Sequence, residues 1–171
     1  MNPECAVAYN NRGYAYDSLE KYPEAIEDYT KAIELNPEND SAYYNRGCTY
    51  ALIEKYSEAI EDYTKAIELN PENDSAYNNR GVAYQAIGVL DKAISDYKTA
   101  ITIDETSPNP HRHLGDIYAL QEKYAKSIDE YSTAIHLNGK YKEAYEGRAR
   151  VYRKIGKNQE AEQDEKIVKE L

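Results

Sequence analysis

The stretch AIEDYTKAIELNPENDSAYYNRG, residues 25–47, returns 34 residues later as AIEDYTKAIELNPENDSAYNNRG, residues 59–81. One position separates the copies, Tyr44 against Asn78. A period of this size marks a supersecondary unit that cannot bury its apolar face alone and stacks on copies of itself. The period outlasts the near-identical copies. Gly13, Gly47, Gly81 and Gly115 keep it, with Ala149 next in phase. So do Tyr16, Tyr50, Tyr84, Tyr118 and Tyr152, then Tyr29, Tyr63, Tyr97 and Tyr131, and Ala32, Ala66, Ala100 and Ala134.

Each unit carries two helical patterns. The first places Ala8, Tyr9, Gly13 and Tyr16 on one face; the second does so with Ala25, Ile26, Tyr29, Ala32 and Ile33. Pro23 suits a first helical turn, and Gly88 and Gly156 occupy the corresponding connection in later units. Asn36-Pro37 and Asn70-Pro71 end the second helix, because a residue before proline is pushed out of the α region. Asp40 and Asp74 are the expected N-caps of the next unit's first helix. A glycine inside a helix costs about 1 kcal/mol relative to alanine. Four in phase therefore predict a close crossing between paired helices.

The pattern Tyr9, Gly13, Tyr16, Ala25, Tyr29, Ala32, Pro37, repeated every 34 residues, resembles the tetratricopeptide repeat across essentially the whole chain. The units read 6–39, 40–73, 74–107, 108–141 and a shortened 142–171, one domain over 1–171, with residues 1–5 resembling the end of a preceding repeat. Departures gather towards the C-terminus, where DETSPNP replaces NPENDS, Ser127 replaces alanine and Glu165 replaces tyrosine. The resemblance implies an all-α solenoid, a right-handed superhelix of antiparallel helix pairs whose first helices line a groove. It also accounts for all the tyrosines but Tyr14, Tyr44 and Tyr141, which fall outside the large-residue phases.

The groove-facing phase carries Asn11, Asn45 and Asn79, then His113 and Gly147. The three asparagines resemble the ladders of helical-repeat proteins whose carboxamides hold a peptide's main chain; a carboxamide both donates and accepts. Tyr14 and Tyr44, with Cys48 nearby, are expected as an aromatic anchor for that peptide. Family members that grip acidic C-termini of heat-shock chaperones use Lys and Asn, Asn, then Lys and Arg over three repeats. Those phases read Asn10, Tyr14, Asn45, Ser75 and Asn79 in the first three units, so the cations are missing. Starting one unit later gives Tyr44, Cys48, Asn79, Asn109 and His113.

Residues 140–157 are locally basic, and Arg150, Arg153 and Lys154 fall on phases that face the groove in the family. They are candidates to receive an acidic group; a solvated, charge-balanced end is the alternative. Arg12, Arg46, Arg80 and Arg148 precede the small-residue phase, and Asp28, Asp62, Asp96 and Asp164 hold one phase of the second helix. In the fourth unit both change together, to Leu114 and Glu130, which predicts an Arg–Asp pair.

A net charge of −10 argues against general nucleic-acid binding. No apolar run is long enough to span a membrane, and no secretory leader is visible. Cys5 and Cys48 lack metal-ligand spacing, so no metal or cofactor is expected and a reducing, cytoplasmic location fits. His111, His113 and His136 have no nucleophile in a plausible relation, and no catalytic residues are assigned. The sequence thus reads as a non-enzymatic adaptor that binds an extended peptide. Its rivals are a self-associating structural protein, a homo-oligomer, and the recruiting region of a larger protein.

Overall fold

The structure is a computed structural model that describes residues 3–171; Met1 and Asn2, part of the stretch read as the end of a preceding repeat, lie outside the described residues. Ten helices run through the described residues, and no strand. They are α1 (Pro3–Ser18), α2 (Tyr22–Leu35), α3 (Asp40–Leu52), α4 (Tyr56–Leu69) and α5 (Asp74–Ala86), then α6 (Leu90–Ile103), α7 (Pro108–Leu120), α8 (Tyr124–Leu137), α9 (Lys142–Lys154) and α10 (Asn158–Glu170). The chain falls into two compact units, the first ending at Asp96 and the second running Tyr97–Leu171. In the first, α1 packs on α2 and α3 on α4; α2 also packs on α3, α4 on α5, and α3 touches α1 and α5. In the second, α7 packs on α8 and α9 on α10, with α8 and α7 both against α9.

The crossing that the glycines predict is present, and its cause is a tyrosine. A Cβ added at Gly13 would come within 2.8 Å of the Tyr29 ring; at Gly47 it would lie 2.9 Å from Tyr63, and at Gly115 2.8 Å from Tyr131. These tyrosines are fully buried. The fifth repeat tolerates Ala149 at this phase because its own tyrosine has become Glu165, which turns to Arg153 instead. The two exceptions are one event.

The Arg–Asp pairs form within each repeat that has both residues. Arg46 reaches Asp62 through two hydrogen bonds of 2.7 Å; Arg12–Asp28, Arg80–Asp96 and Arg148–Asp164 have the same fork. Arg46 also donates to Thr30, Arg80 to Thr64 and Arg148 to Ser132, each on the preceding second helix, so one guanidinium joins three helices. Two rings flank it. Arg46 lies over Tyr43 and Tyr50 at 5.8 and 5.9 Å, and the other three arginines over the equivalent tyrosines. In the fourth repeat Glu130 takes His111 at 2.7 Å in place of an arginine.

The connections differ in detail from the sequence reading. Asn39 and Asn73, not Asp40 and Asp74, cap α3 and α5, accepting from the amides of Ala42 and Ala76. The aspartates are first helical residues, where a negative charge favours the helix N-terminus. Asn36, Asn70, Asp104 and Asn138 each accept from the amide two residues on, so DETSPNP keeps the turn its predecessors make. Between paired helices, one residue adopts positive φ: Glu20 (57°), Glu54 (60°) and Glu122 (57°), but Gly88 and Gly156 elsewhere. Buried Ser127 is satisfied by donating to the Gly115 carbonyl at 2.7 Å.

Candidate functional site

In the first unit the predicted asparagines lie on α1, α3 and α5, outside the core, and their surroundings are unequal. Asn11 is exposed. Asn45 donates to Asn10 at 3.2 Å. Asn79 is held from three directions: it donates to the Tyr44 phenol at 3.1 Å and to the Cys48 sulfur at 3.6 Å, and accepts from Asn78 at 3.2 Å. Tyr44 and Asn78, the one pair that differs between the near-identical copies, thus meet on the same carboxamide. Asn78 Oδ1 is the one buried side-chain polar atom among the described residues without a hydrogen-bond partner.

Tyr14 stands in solvent at 65% exposure, whereas Tyr44 is folded inward with its ring 6.0 Å from Tyr63. The Cys48 thiol lies among these two phenols and the Asn79 carboxamide. Burial raises the pKa of this thiol and of both phenols, so all three stay protonated and uncharged near neutral pH. Beside them is an open cavity of about 360 Å³, lined by Cys48, Ala51, Leu52, Tyr56, Tyr63 and Asn79, with Val82 completing its wall.

In the second unit His113 stacks on Tyr97 with ring centres 5.0 Å apart and planes 7° from parallel. Its Nε2 lies 2.9 Å from Arg112 Nη2. Burial, reinforced by that guanidinium, lowers the pKa of His113 to about 3, so the ring is neutral and accepts. Arg150 and Lys154 line an open cavity of about 470 Å³. Arg153 is committed elsewhere, to Glu165 at 2.9 Å, Glu162 at 3.6 Å and Asn158 at 3.4 Å.

Sequence reasoning did not find the two cavities as such. They are copies of one frame, two periods apart: Ala51, Leu52, Tyr56 and Tyr63 recur as Ala119, Leu120, Tyr124 and Tyr131. On that frame Cys48 becomes Asp116, Asn79 becomes Gly147, and Val82 becomes Arg150. The signal available in the sequence was the leucine ending α3 and α7, 62% and 70% exposed at the mouths of the cavities.

Family models of the tetratricopeptide repeat match residues 6–39, 41–73, 62–95 and 111–169, and a TPR repeat model matches 86–121. Among solved structures the chain is similar to the MamA protein, at 25% identity over 98% of this chain and 91% of that one, with a TM-score of 0.85. It is similar to the first TPR of Spaghetti (RPAP3), solved bound to the HSP90 peptide SRMEEVD, at 28% identity over 71% of this chain and 97% of that one, TM-score 0.69. YrrB, a TPR protein, shares the fold at 20% identity over 98% of this chain and 86% of that one, TM-score 0.77. The comparison with curated protein sequences returned no match. Repeat models along the chain, ten helices among the described residues and these structural neighbours agree: the chain is an all-α solenoid belonging to the tetratricopeptide repeat family.

Proposed function

We propose that this chain is a non-catalytic protein-interaction scaffold that holds an extended segment of a partner against its first helices. The observation that carries this reading is the row of carboxamides outside the core on α1, α3 and α5, helices that touch in sequence order. Packed helices stand about 8–10 Å apart and an extended chain advances about 3.3 Å per residue. One asparagine therefore meets roughly every third residue of the ligand. The present partners of Asn45 and Asn79 are other side chains, and exchanging them for a peptide's N–H and C=O costs little net free energy. Exposed Tyr14 supplies an aromatic anchor beside the row, and His113 holds the equivalent phase of the second unit.

The peptide carried by the Spaghetti repeat supports a peptide as the ligand class. The cationic grip is not carried over, because its phases here hold Asn10, Tyr14, Asn45, Ser75 and Asn79. Both cysteines are free, and among the described residues no helix is long and apolar enough to cross a membrane; the cytoplasm is the proposed setting. A peptide-array screen identifies a ligand, and the Asn11→Ala, Asn45→Ala, Asn79→Ala triple variant tests the row. Each lost contact should weaken binding by about 0.5–1.5 kcal/mol; unchanged affinity would discard the ladder. Self-association is a second reading, favoured by the exposed Ile155 and Leu171 at the C-terminal end. Light scattering over a concentration series decides it, since a constant monomer mass removes that alternative.

A further inference from the structure

The cavity of the second unit carries a charge pattern that its counterpart in the first lacks. Its apolar wall is Ala119, Leu120, Tyr124 and Val151. Behind them Gly147 packs directly on the buried Tyr131 ring; a Cβ there would stand 2.5 Å from it. Arg150 and Lys154 lie one turn apart on α9 at the rim.

The remaining cations of α9 are matched within the chain: Lys142 to Glu146, Arg148 to Asp164 and Arg153 to Glu165. Among the described residues, Arg150 and Lys154 alone on this helix have no acidic partner. The acids of the cavity do not neutralise them equally. Asp116 already accepts from Tyr131 at 2.6 Å and from Arg112 at 2.7 Å. Glu122, in the adjoining turn, is the remaining carboxylate. Two unmatched cations against one free carboxylate leave a single positive charge for a ligand to balance, which suits one carboxylate better than a doubly charged phosphate.

We propose that this cavity binds an acidic residue and its apolar neighbour within an extended partner segment. The side-chain carboxylate lies between Arg150 and Lys154, and the apolar group rests on Leu120, Tyr124 and Val151. This rests on the extended-segment reading and names the chemistry of one stretch of that segment. The source is an internal Asp or Glu, because a segment held along the helices passes over an open cavity and does not end in it. Arginine takes a carboxylate in two parallel hydrogen bonds, and the low polarity of the wall strengthens them.

The test is a titration of the ¹⁵N-labelled full chain with acetyl-Gly-Ser-Glu-Leu-Gly-Ser-amide and with its Gln counterpart. The Glu peptide should shift the amides of Gly147, Arg150, Val151 and Lys154, and bind about tenfold more tightly than the Gln peptide, the size of a good charge pair at a partly desolvated rim. The Arg150→Gln, Lys154→Gln double variant should lose that advantage. Lys140→Gln with Lys166→Gln removes the same charge elsewhere and should keep it. Both altered cavity residues are exposed, and the amide spectrum reports whether the variant is folded. Equal binding of the two peptides would overturn the proposal. A free-acid Gln peptide that binds best would move the source to a chain terminus and overturn it too, as would shifts confined to residues before Tyr97. The triple asparagine variant separates this from the reading beneath it. It weakens long ligands if the row grips main chain, and leaves the Glu-over-Gln ratio unchanged.

Discussion

The cavity beside Cys48 and the cavity beside Arg150 share two tyrosines, an alanine and a leucine in equivalent places, yet one is uncharged and the other carries ions. In the first, Tyr63 leans on a thiol and Asn79 closes the space with three hydrogen bonds. In the second, Tyr131 donates to a carboxylate and Gly147, without a side chain, packs directly on the ring. The frame is set by the repeat, and the chemistry by three or four first-helix positions that the frame leaves free. A repeat protein can therefore vary recognition without disturbing the crossings that hold it together.

The comparison requires that the frames themselves be equally strong. Arg46→Ala and Arg148→Ala each leave a buried aspartate without its partner, and each should cost about 3 kcal/mol in urea unfolding. Very unequal losses would mean that the two units do not share one support. The tyrosines should then part company. Tyr131→Phe removes a hydrogen bond to a charged acceptor and should cost about 1.5 kcal/mol. Tyr63→Phe removes a contact with a thiol and should cost about 0.5 kcal/mol.

Acid should reveal a further difference. The unfolded chain protonates His113 near its ordinary value of 6.5, whereas the folded ring resists until about 3. The unfolded state thus binds more protons throughout that window, and this contribution is complete above 6.5 and falls as the pH drops towards 3. His113→Asn, which restores the residue of the earlier repeats, should flatten the slope by up to about 1.4 kcal/mol per pH unit. An unchanged slope would place the protonation elsewhere. The smallest effect belongs to the turns. Glu54→Gly and Glu122→Gly relieve a left-handed conformation but loosen the unfolded chain, for a net gain of a few tenths of a kcal/mol. Glu122→Gly should also tighten the Glu peptide several-fold, and Glu54→Gly should not.

Period, helix pairing, glycine crossings and the Arg–Asp forks were legible from residues alone, because each is a constraint repeated until its exceptions become informative. Leu114 and Glu130 changed together and so disclosed a pair. The caps were misplaced by one residue because Asn39 and Asp40 are both good cap chemistry, and only the amide of Ala42 decides between them. The cavities were not legible. A cavity is what neighbouring side chains fail to fill, and that depends on how Tyr131 lies beneath Gly147, which no spacing records. Arg153 shows the same limit: its phase faces the groove in the family, but Glu165 occupies it.

Each guanidinium that forks to an aspartate is sandwiched between two phenol rings, and the chain has 19 tyrosines and no tryptophan. Phenol fluorescence here is not masked by indole emission. Eight of the 19 tyrosines flank a fork, so near-ultraviolet dichroism and tyrosine emission report on the forks, among other rings, without any label.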